Sequence, residues 1–180
     1  MSRKASGGHQ KQAMAHKSDF SPTEWNTLRD TPHIVCTAVL LIGSNAFTTI
    51  AELLGLSRLA IENQFTGATL TRSLTSSDEV ERAQVSIKQT FRVSRGIPTV
   101  ESIRRRALEL AKSSSAITAA RSDPMEAKEY CNMLYRVAER VAATAREKSI
   151  VGFGEEATDA LRAFLDELRL TLGVELARRA

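Results

Sequence analysis

From Ser77 onward, apolar and small residues return along this chain in steps of three and four. Val80, Ala83, Ile87 and Phe91 form one stripe; Val100, Ile103, Ala107, Leu110, Ser114 and Ile117 form a second. Tyr130, Leu134, Val137, Val141 and Ala145 make a third, and Leu161, Leu165, Leu168 and Leu172 a fourth. Such steps track the turn of an α-helix, so each stripe lies on one helix face and has to be covered by a neighbour. No stretch alternates with a period of two over a strand's length, and no fixed repeat suggests a solenoid. The spacing predicts an all-α bundle of about seven helices with antiparallel neighbours.

The start of the folded part is marked as clearly. Ser21 and Glu24 have the spacing of a reciprocal capping box, and Pro22 suits the first helical position. Phe20 and Trp25 stand where two apolar side chains staple the entering chain to the first turn. Asp30-Thr31-Pro32 is expected to break or bend the chain after a short first helix. A second, apolar helix then reaches Ile42 before Gly43-Ser44-Asn45, and a third occupies 46–65. Gly67 to Ser77 is Thr- and Ser-rich and reads as a connector with room for a helical turn. Four helices follow, at 77–96, 98–120, 124–148 and 155–172. Ser77, Pro98 and Asp123-Pro124 serve as starts, Gly152-Phe153-Gly154 is the last turn, and Gly173 is a stop.

At 180 residues the chain suits one domain with a sizeable core. Its net charge of +4 is matched by Arg3, Lys4, Lys11 and Lys17 alone, with no acid before Asp19. The globular part is therefore formally neutral. Residues 1–19 show no periodicity and read as a flexible basic tail before a helical domain at 20–180. The run Ile34 to Ile42 is about half the length of a membrane span and reads as a buried helix. Cys36 and Cys131 are too few for a disulfide framework, and as reduced core thiols they favour the cytoplasm.

No constellation for chemistry emerges. His9, His16 and His33 lack the spacing of a zinc site, and His33 reads as an ordinary surface or half-buried histidine. His33 and Cys36 are one helical turn apart, but apolar neighbours would raise a thiol pKa rather than activate it. Gly152-Phe153-Gly154-Glu155-Glu156 lacks the Gly-Lys-Ser/Thr of a phosphate loop and puts acids where an anion would sit. Glu155 and Asp159 share a face and could chelate a hard cation, against the plainer role of complementing the helix dipole. Arg104-Arg105-Arg106 fans around its helix and so cannot form one phosphate-tracking row.

The two ends of the chain resemble a family of uncharacterised bacterial helical proteins. At the start the resemblance lies in Phe20, Ser21, Glu24, Trp25, Leu28, Pro32 and Val35. At the end it lies in Gly152, Phe153, Gly154, the leucines 161, 165, 168 and 172, and Gly173. The closing helix is distantly similar to tellurium-resistance TerB-like domains, whose acidic residues are proposed for metal binding. This chain lacks their paired Asp-Gly-x-hydrophobic-acidic pattern, and the family implies no assigned reaction. The combined expectation is a non-catalytic interaction or assembly module without a cofactor. Leu161, Leu165, Leu168 and Leu172 are its candidate interface for self-association or a protein partner. The alternative is weak binding of nucleic acid or an anionic surface through Arg3, Lys4, Lys11 and Lys17.

Overall fold

A computed structural model describes residues 15–43, 50–62, 67–93, 98–147 and 155–175. Within them, a single 3-10 turn at Lys17–Asp19 precedes seven α-helices. These are α1 (Pro22–Gly43), α2 (Ile50–Ile61), α3 (Thr69–Leu74), α4 (Ser77–Val93), α5 (Val100–Arg121), α6 (Pro124–Glu147) and α7 (Glu155–Leu172). There is no strand among the described residues. The turns expected at 44–45, 96 and 152–154 lie outside them.

The bundle is built around α1, whose residues from Thr31 to Gly43 are all buried. A helix apolar on every side has no face to offer water, so it has to be wrapped. α5, α6, α2, α4 and α7 do so. The stripes meet against it: Ile103, Ala107 and Ala111 from α5, Tyr130, Leu134 and Val137 from α6, and Leu161, Phe164 and Leu168 from α7 belong to one core. The leucine row proposed as an interface is thus a correction. Leu161, Leu168 and Leu172 are buried inside the chain and Leu165 is half-buried, because α7 packs on α5, α6 and α1.

The helix ends follow the sequence closely. Ser21 Oγ accepts the Glu24 N–H at 3.2 Å, Glu24 Oε2 accepts the Ser21 N–H at 2.8 Å, and the Phe20 and Trp25 rings lie 5.8 Å apart. Asp123 Oδ1 caps α6 through the Met125 N–H, just ahead of Pro124. Gly173, at φ +63°, ends α7 with bonds from its own N–H to Leu170 and from Val174 N–H to Arg169. That pair of bonds is the Schellman arrangement, and its left-handed residue favours glycine. At α5 the cap is Thr99, which accepts the Ser102 N–H, rather than the preceding Pro98.

The chain is not broken at Pro32, since α1 runs through it, and the helical turn allowed for in the Thr- and Ser-rich connector is the short α3. Proline has no N–H, so the carbonyl four residues earlier, that of Leu28, loses its helical donor. Tyr130 supplies one from α6. Its hydroxyl donates to the Leu28 carbonyl at 2.9 Å, and the whole side chain is buried. A tertiary contact thus satisfies the group that would otherwise have made the break. Tyr130→Phe should cost about 2 kcal/mol by leaving a buried carbonyl unmet. In a Pro32→Ala background, where a backbone N–H returns, that cost should fall well below 1 kcal/mol. Denaturant titration of the four proteins checks this, and strictly additive costs would refute the compensation.

Candidate functional site

The densest polar constellation in the described structure joins the N-terminal segment to α1 and α4. On α1, Trp25 and Arg29 are one turn apart on a common face, with Asp30 adjoining. On α4, Glu79, Arg82 and Ser86 follow each other at helical steps. Lys17 reaches in from the 3-10 turn: its Nζ lies 2.6 Å from Glu79 Oε1 and 5.4 Å from the centre of the Trp25 ring. Arg29 Nε bonds Asp30 Oδ1 at 2.7 Å while its other end lies 3.9 Å from Glu79 Oε2, and Ser86 donates to Asp30 Oδ2 at 2.9 Å. Arg29 and Glu79 are nearly buried.

The electrostatics of the two carboxylates differ. Burial pushes Glu79 up, but the bonds from Lys17 and the pull of the Trp25 indole N–H outweigh it, so the group titrates below its usual range. The indole acts without reaching hydrogen-bonding geometry. For Asp30, burial wins over the bonds from Arg29 and Ser86 and its pKa is raised. Each carboxylate is matched by cations on its own cluster. As arranged, the cluster fastens three segments together.

This geometry alters the expected tail. Ala15 to Asp19 are structured: Ala15 is buried and gives its N–H to Glu126 Oε2 on α6 at 2.8 Å, and Asp19 accepts the His16 N–H. Of the four cations assigned to anion binding, Lys17 is committed to Glu79, because the 3-10 turn points it across α4. Arg3, Lys4 and Lys11 lie outside the described residues.

A second polar line crosses the core. His33, read from sequence as surface or half-buried, is 1% exposed. Its Nδ1 lies 2.9 Å from Ser57 Oγ on α2, and that hydroxyl donates to the Leu54 carbonyl at 2.9 Å. With the hydroxyl proton so used, Nδ1 carries the hydrogen and donates it to Ser57. Gln84 of α4 donates to the same Leu54 carbonyl at 2.8 Å, so α1, α2 and α4 are tied through two adjacent oxygens, the Ser57 hydroxyl and the Leu54 carbonyl. Burial and the Arg29 charge hold the imidazole pKa down to about 3. Cys36 is fully buried, and burial pushes its thiol far above the ordinary range. His33 is therefore spent on Ser57 and does not activate Cys36.

A cleft of about 350 Å³ lies between α5, α6 and the Gly173 turn, lined in part by Ser115, Lys128, Cys131, Asn132 and Glu175. Burial raises the Cys131 thiol against the lowering effect of Ser115, whose Oγ lies 3.5 Å away. Two arginines of the run pair with acids: Arg104 bonds Glu167 at 2.6 Å and Arg105 lies 3.9 Å from Glu109. Asp159 faces Arg162 at 3.0 Å, and the Glu155 side chain lies outside the described residues. Among the described residues, no cluster of three His, Cys, Asp or Glu is placed to hold a metal ion.

Sequence reading missed the ionic cluster because its members are far apart in the chain and each looks like a surface charge. Its local traces were the Trp25–Arg29 spacing, the neighbouring Asp30 and the Glu79–Arg82 step on α4. No protein-family model, curated protein or solved structure matches this chain.

Proposed function

We infer that the chain is a non-catalytic helical interaction or assembly module. The reading is supported by one observation: the groups best able to do chemistry are consumed by the fold. His33, Cys36, Tyr130 and Glu79 are buried, with His33 and Tyr130 bonded to partners within the bundle and Glu79 paired to cations. The free thiols Cys36 and Cys131 accord with a reducing compartment such as the cytoplasm. No helix among the described residues is long and apolar enough to cross a membrane.

A partner would have to meet the outer faces. Leu59, Met125 and Leu170, at 70%, 70% and 71% exposed, sample three of them. Each changed singly to Glu should leave the melting midpoint nearly unchanged, since exposed positions tolerate charge. In cross-linked pull-downs from native cells and in sedimentation, one of these variants should lose a partner or a self-associated species that the unchanged protein forms. A protein that is monomeric and captures nothing, unaltered by all three changes, would overturn the reading. Binding of nucleic acid by the basic segment is the other outcome to score, with Lys17 already engaged by Glu79.

A further inference from the structure

Glu126, in the first turn of α6, is 5% exposed, yet its carboxylate is only half satisfied. Oε2 accepts the Ala15 backbone N–H at 2.8 Å, while Oε1 is buried with no hydrogen-bond partner. Among the described residues no cation pairs with it, although buried carboxylates are ordinarily met by charge or by several donors. The group that would complete this one is positively charged and donates more than one proton from the place of the Ala15 nitrogen. A terminal ammonium on Ala15 has both properties and needs no movement of that atom.

We propose that Glu126 is a receptor for the α-ammonium of a chain that begins at Ala15. Hydrolysis of the Met14–Ala15 bond creates that end. The amide C–N bond breaks, the hydroxyl of water stays on the Met14 carbonyl carbon, and its hydrogen goes to the Ala15 nitrogen. The proton shed by the new carboxyl at neutral pH is matched by one taken up at the new amine. The sequence allows two routes to this one bond: a peptidase cutting after Met14, or synthesis begun at Met14 followed by removal of that methionine, a step favoured by a small next residue. Pairing an ammonium with a carboxylate that is already buried avoids the usual objection to buried ion pairs, because that carboxylate is desolvated before the cation arrives. The segment Ala15–Phe20 is then locked at both Glu126 and Glu79, and the fold tightens on processing.

The test writes a cleavage site into the full chain through Lys11→Ile, Gln12→Glu, Ala13→Gly and Met14→Arg, so that a sequence-specific protease cuts just before Ala15. A companion chain carries the site two residues earlier, through His9→Ile, Gln10→Glu, Lys11→Gly and Gln12→Arg, and begins at Ala13 once cut. Cleavage before Ala15 should raise the melting midpoint by several degrees, and acetylating the new end or introducing Glu126→Gln should remove the rise. Cleavage before Ala13 should give none. If the folded chain resists the protease, a chain started at Met14 and shown by mass to begin at Ala15 gives the same comparison. Equal midpoints before and after the cut, or equal rises for both ends, would overturn the proposal. The second result would assign the effect to loss of residues 1–12, which both cuts remove.

Discussion

Between pH 6.5 and pH 3 the protein should lose on the order of 5 kcal/mol of stability through His33 alone. The unfolded imidazole titrates near 6.5, whereas in the fold burial and the Arg29 charge hold it down to about 3. Below 6.5 the unfolded chain therefore binds a proton that the folded chain refuses, and stability falls with pH until the folded value is reached. The contribution is complete above 6.5 and gone below about 3. Asp30 works in the opposite direction, since its raised pKa means that acid relieves a buried charge. Denaturant titrations from pH 7 to 3.5 on the unchanged protein and on His33→Asn, whose amide can still donate to Ser57 but cannot take up the proton, isolate the effect. The variant should be less stable at pH 7 and flatter toward acid; parallel profiles would show that His33 is not the group responsible.

Trp25→Ala should cost about 3 to 5 kcal/mol, the range for emptying a large aromatic site in a core. Trp25 is 3% exposed, and its ring does several things at once. It packs tilted at 52° against Phe20, lies under the Lys17 ammonium, and helps hold the Glu79 carboxylate below its usual range. Losing it opens the core and loosens the N-terminal segment together. Trp25→Phe keeps the apolar body and should cost clearly less, and Ser21→Ala, which touches only the exposed cap, about 1 kcal/mol. Denaturation midpoints order the three, and a Trp25→Ala protein as stable as the unchanged one would place Trp25 outside the core.

Local chemistry made much of the architecture legible. The capping box at Ser21, the Asp123-Pro124 start and the Gly173 stop each involve groups within a few residues, and each is found where its spacing puts it. The three-four stripes gave most of the buried faces for the same reason, because a helix reports its own period; on α5, however, Val100 is exposed and Leu110 and Ile117 are half-buried. Among the described residues there are seven helices as expected, with α1 continuous through Pro32 and the helical turn of the Thr- and Ser-rich connector formed as α3 at Thr69–Leu74.

What the sequence by itself determined is the helical class, most helix ends and which face of each helix is apolar, because those depend on neighbours one to four residues away. Tertiary structure decided the rest. It carried α1 through a proline by lending it the hydroxyl of Tyr130, 102 residues distant, and it placed the leucine row of α7 inside the core rather than on a surface. It also drew Lys17, Arg29 and Glu79 into one cluster and set Ala15 against Glu126. Charges that far apart carry no mark of each other in a linear chain; only packing, which removes the water between them, makes them partners.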